Sequence, residues 1–135
     1  MKIIAVLSLF LIILSASTCD NQSSNLLPGT YTGKFIVIYA DGQRQNHPVS
    51  VTFTQSNYQS TSGANRIPAG GAGTFTVVGN KIIFQDENMW TADFDWELTL
   101  NGEYHYQLKG NSLKITREYK DQEKKSITYE LVKSN

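Results

Sequence analysis

Residues 103–118 read EYHYQLKGNSLKITRE, and this stretch decides the fold. On each side of Gly110-Asn111, apolar side chains stand at every second position and alternate with polar ones. A period of two is typical of strands that bury one face, because successive side chains of a strand point to opposite sides. A Gly-Asn pair between two such runs favours a tight turn. The stretch therefore predicts two antiparallel strands joined as a hairpin.

The same alternation continues over most of the chain on both sides of this hairpin. The turn pairs Asp41-Gly42, Gly79-Asn80 and Asn101-Gly102 punctuate it. Tyr58–Ser62 adds a further strand, and the glycine-rich stretch Ser60–Gly73 predicts a loop or a bulged edge. The pattern predicts about eight strands. Other alternating runs are Tyr31–Tyr39, Val49–Phe53, Phe75–Val77, Ile82–Phe84, Phe94–Leu100 and Ile127–Leu131.

The short turns also predict how the strands are arranged. Tight turns make consecutive strands antiparallel neighbours, and no segment after the N-terminal stretch has the 3.6-residue period of a crossover helix. We therefore predict an all-β domain, an antiparallel up-and-down meander of about eight strands. Closing this meander into a small barrel removes its exposed edges, so a closed barrel is expected. A flattened or open barrel is the alternative.

The first eighteen residues have the features of an export signal. Lys2 supplies a positive charge, and Ile3–Leu14 is an uninterrupted apolar run. As a helix, a run of this length rises about 18 Å, which is short of the roughly 30 Å of a membrane hydrocarbon core. The small residues Ser15–Thr18 then lead into Cys19. We predict a signal peptide over residues 1–18.

Cys19 is the only cysteine in the chain, so no internal disulfide can form. Its position after small residues resembles the signal of bacterial lipoproteins, in which this cysteine becomes the acylated N-terminus. The resemblance implies a cell-envelope protein anchored to a membrane, with the outer membrane favoured, through lipid on Cys19. Cleavage after Ser17, leaving a free or intermolecularly paired thiol, is the alternative. Residues 19–27 are predicted to be a flexible tether, and residues 28–135 the barrel domain.

Gly29-Thr30-Tyr31 stands at the start of the first predicted strand. Here the chain resembles the lipocalin-like group of small β-barrels, in particular compact bacterial lipoproteins of that shape, whose first strand begins with Gly-x-Trp. The resemblance implies that Tyr31 takes the place of the Trp and closes one end of the barrel. It also implies an arginine over that ring, for which Arg117 is the candidate.

The charges and histidines narrow the classes of function. Twelve acidic and twelve basic residues balance, which leaves no broad electrostatic field for nucleic acid or for an anionic membrane surface. The only thiol lies outside the predicted barrel, and His47 and His105 have no ligand-spaced partner. We expect His47 in a solvated loop and His105 on the surface of a strand. No catalytic residue, metal site or cofactor is predicted.

The acidic and glycine-rich stretches likewise predict no catalytic, calcium or phosphate site. Asp93, Asp95 and Glu97 share one face of a predicted strand, but that face is the polar one, so we expect solvated carboxylates. Asp86–Asn88 lacks the glycine and the regular oxygen spacing of a calcium loop. Gly70–Gly73 lacks the following Lys-Ser/Thr and helix of a phosphate loop.

Aromatic side chains dominate the apolar positions of the predicted strands. An eight-stranded barrel has room either for its own side chains or for one small ligand. Each aromatic side chain buries about 150–250 Å², so a packed aromatic core is favoured over a sizeable cavity. The residues concerned are Tyr31, Phe35, Tyr39, Phe53, Phe75, Phe84, Phe94, Trp96, Tyr104, Tyr106 and Tyr129.

The inward tyrosines suggest where a ligand could bind. Buried hydroxyl groups need partners or water, so one end of the interior is expected to be polar and to form a shallow pocket. Trp96 is predicted to point inward, and Trp90 either to lie at the rim of this pocket or to cover a barrel end. The candidate ligand-binding residues are Tyr39, Trp90, Trp96, Tyr104 and Tyr106.

Two functions therefore remain for a monomeric, membrane-anchored barrel. It binds a small amphiphilic or aromatic ligand in its open end, as the resemblance implies. Alternatively, its barrel is filled by side chains, and loops such as Ser60–Gly73 bind an envelope protein, as a non-enzymatic interaction or inhibitor module. Neither function needs nucleic acid, and an enzyme is not expected.

Overall fold

A computed structural model describes residues 26–91, 93–120 and 122–135. The predicted signal peptide, Cys19 and most of the predicted tether lie outside these residues. Leu26 is buried in the core, so the packed domain includes residues before the predicted boundary at residue 28.

Eight antiparallel strands form a closed barrel in sequence order, with β1 paired to β8. The predicted all-β meander is therefore confirmed. Two 3₁₀ turns, Ala64–Arg66 and Trp96–Leu98, lie between strands. The strands are β1 (Gly29–Tyr39), β2 (Arg44–Phe53), β3 (Asn57–Ser60), β4 (Gly71–Val78), β5 (Lys81–Asp86), β6 (Gly102–Lys109), β7 (Ser112–Glu118) and β8 (Lys124–Lys133).

The order of the strands gives the barrel two different ends, because alternate connections of an up-and-down meander lie at the same end. The loop end carries the connections 40–43, 61–70, 87–101 and 119–123. The terminal end carries the tight turns 54–56, 79–80 and 110–111, and the chain also enters β1 and leaves β8 there. The long connections therefore lie opposite the N-terminal entry point.

One predicted strand is wrong. Residues 94–100 alternate in polarity but lie in the 87–101 connection, and β5 pairs directly with β6 through Phe84 and Gly102. The reason is local capping, since the Asp95 carboxylate accepts a hydrogen bond from the Glu97 amide at 3.0 Å and begins the 3₁₀ turn. Asn101-Gly102 is consequently not a hairpin turn. The strand predicted near Tyr58 is confirmed as β3.

Side chains fill the interior of the barrel. The Phe53 ring packs edge-on against Tyr31 and Phe75, with centroid distances of 5.6 and 5.2 Å. The Phe84 ring likewise contacts Tyr58 and Tyr104 at 4.7 and 5.8 Å. Such edge-to-face pairs add to the stabilisation from burial. The buried aromatic residues are Tyr31, Phe35, Phe53, Tyr58, Phe75, Phe84, Tyr104 and Tyr129.

Two further predictions, on Trp96 and His47, are wrong. Trp96 points outward and is 57% exposed, because its segment is a surface turn rather than a strand. His47 lies in β2 and not in a loop, with its ring 3.3 Å from the Gln45 amide oxygen. The eight strands close on one another around the core cluster, so residues 26–133 contain the whole barrel.

The seam between β1 and β8 depends on a close backbone approach at Gly33. A Cβ atom at this position would lie 1.9 Å from the carbonyl oxygen of Glu130 and 3.0 Å from the α-carbon of Leu131. Gly33 pairs with Leu131 on one side and with Val49 on the other. A side chain here would push apart the strands that close the barrel.

We expect Gly33→Ala to lower the free energy of unfolding by about 1–3 kcal/mol, the usual cost of forcing extra atoms into a packed site. Urea denaturation of the two proteins measures the difference. Lys34→Ala is the matched control, since Lys34 is the next residue of the same strand and is exposed. Equal stability of the two variants would contradict the proposed role of the close approach.

Candidate functional site

The 87–101 connection crosses the loop end of the barrel and closes it. Its Leu98 carbonyl accepts a hydrogen bond from the Ala69 amide at 3.0 Å, and its Leu100 amide donates to the Gly70 carbonyl at 2.8 Å. The buried Tyr58 hydroxyl donates to the Leu100 carbonyl. Leu98 and Leu100 are buried, so this connection contributes to the core as well as covering it.

Lys124 holds the connection in place. Its ammonium nitrogen lies 2.5 Å from a carboxylate oxygen of Asp95 and 2.7 Å from one of Glu97, and its side chain is only 4% exposed. Burial alone would lower the pKa of Lys124, but hydrogen bonds to the two carboxylates outweigh it and raise the pKa. Asp95 and Glu97 are thus partners of a buried cation rather than only solvated acids. We call this ion-pair cluster the clamp.

A β-bulge explains why the sequence pattern missed Lys124. The register between β1 and β8 shifts at Ile38/Tyr39, so Ile38 pairs with Ser126 and Tyr39 with Lys124. The extra residue turns the following side chain to the other face of the strand. Lys124 therefore points inward although its parity in the sequence is that of exposed residues.

On the outside of the same connection, aromatic side chains form a continuous surface with Arg66. The Phe94 ring lies between Trp90 and Trp96, with centroid distances of 5.1 and 6.3 Å. The guanidinium carbon of Arg66 lies 5.0 Å from the centroid of the Phe94 ring. Met89 is adjacent in sequence and fully exposed. We call Arg66, Met89, Trp90, Phe94 and Trp96 the aromatic face.

Hydrogen bonds hold both indole rings of the aromatic face. The Trp90 indole N–H donates to the Asp86 carboxylate, and the Trp96 indole N–H donates to the Thr91 carbonyl at 3.2 Å. Asp86 also accepts from the Ala72 amide at 2.9 Å, so both of its oxygens are engaged in holding structure. Among the described residues, no three His, Cys, Asp or Glu side chains gather as a metal-binding group.

A groove of about 410 Å³ lies beside Trp90 and opens to solvent. Its lining includes the small residues Gly70, Gly71 and Ala72, together with the amide side chains of Gln59 and Asn88. Gly71 has a φ of +149°, a conformation that favours glycine. The glycine-rich segment therefore lines a shallow surface groove, and its last three residues begin β4 rather than preceding a helix.

Beneath the connection, three tyrosine hydroxyl groups are buried within the aromatic and aliphatic core. The buried hydroxyl groups of Tyr104, Tyr119 and Tyr129 have no hydrogen-bond partner within the described part of the chain. Burial raises the pKa of Tyr104 and of Tyr129, which keeps both hydroxyl groups neutral. Arg117 lies over this cluster, with its guanidinium carbon 4.0 Å from the centroid of the Tyr104 ring.

The position of Arg117 differs from the one that the lipocalin resemblance implied. It covers Tyr104 instead of Tyr31, and its Nε donates to the Glu103 carbonyl at 3.0 Å. Tyr31 is buried and donates its hydroxyl to the Leu27 carbonyl at 2.9 Å. Gly102 accommodates the guanidinium, because a Cβ atom there would lie 2.5 Å from an Arg117 nitrogen.

The predicted ligand-binding residues do not form one pocket. Trp90 and Trp96 meet through Phe94 on the outer surface, whereas Tyr104 lies inside the barrel. Tyr39 and Tyr106 are half-buried and pack against the core. Sequence reasoning missed Arg66 and Lys124, and no periodic signal marked either residue.

None of the helical segments within residues 26–91, 93–120 and 122–135 has the length and apolar content of a membrane span. No protein-family model, curated protein or solved structure matches the chain.

The clamp makes a direct prediction about stability. Lys124→Met removes the cation and leaves two carboxylates close together, so the free energy of unfolding should fall. Breaking a buried ion pair costs about 3–5 kcal/mol, and because Asp95 and Glu97 are partly exposed we expect about 2 kcal/mol. Lys125→Met, a change at an exposed neighbour, is the control and should have little effect.

The difference in the free energy of unfolding between the native protein and Lys124→Met should depend on pH in a defined direction. The pKa of Lys124 in the folded protein is raised above its ordinary value of 10.5, so the stabilisation is complete below that pH and is lost only at higher pH. Urea unfolding at about pH 6 and about pH 9 should therefore give the same difference between the native protein and Lys124→Met. A difference that disappears by about pH 9 would show that Lys124 is not held as a cation.

Proposed function

We propose that this protein is a membrane-anchored, non-enzymatic interaction module that binds an envelope protein through its aromatic face. The observation that carries the proposal is the exposed pair Met89 and Trp96 on a connection clamped across a filled barrel, with Arg66 of the 61–70 connection packed against the same aromatic cluster. Trp and Arg dominate the binding energy of protein interfaces, and aromatic residues, Met and Arg are enriched there.

The filled interior favours this function over binding inside the barrel. Phe35, Tyr104 and Tyr129 occupy the space that a ligand would need, and Leu98 and Leu100 cover it at the loop end. A ligand could enter only after these side chains and the clamp had moved. The barrel thus serves best as a rigid support for its connections.

The aromatic face is also preorganised. Hydrogen bonds fix both indole rings, and the clamp fixes the connection that carries them. A surface that is already ordered loses less conformational entropy on binding, so more of the contact energy appears as affinity.

The charges around the face indicate the chemistry of the partner. Glu87, Asp93 and Asp95 are exposed on the same connection. The Arg66 guanidinium lies over the Phe94 ring and forms an ion pair with the Asp93 carboxylate at 3.4 Å. The Thr91 hydroxyl holds the pKa of the Asp93 carboxyl below its usual range, with a smaller contribution from Arg66. The complementary partner presents apolar side chains surrounded by lysine or arginine.

The anchor would place this face away from the membrane. Lipid on Cys19 lies on the chain that enters the barrel at the terminal end, opposite the 87–101 connection. Residues 20–25 separate Cys19 from Leu26, a reach of about 25 Å when fully extended. The aromatic face then points toward the aqueous compartment, where a protein partner can reach it.

The anchor is tested directly by labelling. Expressed in a bacterium, the full chain should incorporate labelled fatty acid and partition into detergent, and Cys19→Ser should abolish both. Ser24→Ala, a change in the predicted tether that keeps both the signal peptide and the cysteine, is the control for altered expression. Incorporation that survives Cys19→Ser would refute the anchor.

The docking surface is tested by photo-crosslinking of the full chain in its envelope. A crosslinking amino acid at Met89 should give one discrete protein adduct, and the same residue at the outward-facing Ile83 of β5 should give none. Trp96→Ala should reduce the adduct at least tenfold, and an excess of purified residues 20–135 should compete for it. Equal adducts from both positions, or no effect of Trp96→Ala, would exclude the aromatic face as the interface.

The groove beside Trp90 favours a second candidate, the binding of a small ligand on the outer surface. Its volume of about 410 Å³ lies within the range of small-molecule sites. In that case the Met89 crosslinker should give an adduct of small mass, which Trp90→Phe reduces and Trp96→Ala does not. The two functions are therefore separated in one experiment.

A further inference from the structure

Four lysines surround the terminal end of the barrel. Lys81 follows the 79–80 turn, Lys109 and Lys114 flank the 110–111 turn, and Lys133 ends β8. The described segments at this end, 26–30, 52–58, 76–82, 107–114 and 131–135, contain no Asp or Glu side chain. These segments are therefore basic, and two acidic side chains adjoin them: Glu103, which pairs with Lys81, and Glu130, which lies opposite Lys114.

The opposite end has the compensating charge. The loop-end connections and their flanking residues contain most of the acidic residues, among them Asp41, Asp93 and Glu123, and a smaller number of basic ones. The balanced net charge had predicted no field for an anionic membrane surface. That prediction is incomplete, because the topology sorts the two signs to opposite ends of the barrel.

Apolar side chains are exposed among these lysines. Leu27, Val78 and Val132 are each more than half exposed, and all three lie at the terminal end. A groove of about 320 Å³ on the outer wall is lined by Lys109, Lys114 and Val132, together with Glu130, which lies opposite Lys114 on the neighbouring strand. A surface that combines lysines with isolated apolar side chains suits the interface of a bilayer, where the apolar groups enter and the ammonium groups meet phosphates.

Three of the four lysines are available to an external anion. Lys81 is paired with Glu103 at 2.6 Å, whereas Lys109, Lys114 and Lys133 form no ion pair within the described part of the chain. Lys109 and Lys114 are exposed, and Lys133 is half-buried along its carbon chain. Lysines that form no ion pair keep an attraction for an anionic surface, which the Glu130 carboxylate opposite Lys114 reduces in part.

We infer that the terminal end is a membrane-contacting surface that docks on the anionic headgroups of phospholipids. The lysines supply the electrostatic attraction, and Leu27, Val78 and Val132 enter the interface. The surface is at the end where the chain from Cys19 enters the barrel, so an anchor and this surface act on the same bilayer. The inference goes beyond the proposed function, because it concerns the other end of the barrel and a different partner.

The test uses residues 20–135, which contain the whole barrel and lack the anchor cysteine. Sedimentation is measured with vesicles of neutral phosphatidylcholine and with vesicles containing about 30% phosphatidylglycerol. Each lysine near an anionic surface contributes about fivefold to the binding constant. The domain should therefore bind the anionic vesicles at least tenfold more tightly, and raising the salt from about 50 mM to about 500 mM should remove the difference.

Two matched triple variants locate the surface. Lys109→Gln/Lys114→Gln/Lys133→Gln should weaken binding to anionic vesicles at least tenfold, to near the level measured with neutral vesicles. Arg44→Gln/Lys120→Gln/Lys125→Gln removes the same charge from exposed positions at the loop end and should leave binding unchanged. Thermal unfolding checks that both variants remain folded. Equal losses in the two variants, or equal binding to neutral and anionic vesicles, would overturn the inference.

These outcomes are independent of the other proposals. Vesicle binding of residues 20–135 does not require lipid on Cys19, so an unlipidated Cys19 would leave this result intact. Crosslinking at Met89 likewise reports only on the loop end.

Discussion

The hydrogen-bonded closure of β1 on β8 is the constraint on which the rest of the structure depends. The two strands pair from Tyr31 opposite Lys133 to Tyr39 opposite Lys124, and Gly33 allows their backbones to approach closely. Closure removes both free edges of the sheet and separates an inside from an outside. Alternate side chains of each strand then point into one shared core. Alternate connections between strands lie at the same end of the barrel. The filled interior and the two unlike ends follow from this.

Local periodicity was sufficient for most of the fold. The alternation around Gly110-Asn111 predicted the β6–β7 hairpin, and the weak run at Tyr58 proved to be the short β3. The failure at Phe94–Leu100 has a physical cause. Alternation describes which residues are apolar and does not determine whether a segment finds a neighbouring strand. There, capping by Asp95 and the distant Lys124 stabilise a surface turn.

The candidate site was harder to predict because its parts come from different segments. Trp90 packs against Phe94 on the outer surface, and Arg66 joins them from another connection, which only the folded topology brings close. The alternation of the sequence does not predict Lys124 as buried, because the bulge turns its side chain to the inner face of the strand. The basic terminal end was hidden in a different way, since a sum of charges over the chain carries no information about where the fold places them.

The separation of charge along the barrel makes this neutral chain an electric dipole. A neutral body is not drawn as a whole by a uniform field, but a dipole within about one Debye length of an anionic surface experiences a torque. The barrel would be turned with its lysines toward that surface before any contact forms. The outward orientation of the aromatic face would then be set by electrostatics, and the link to a lipid would need to supply only proximity and no stiffness.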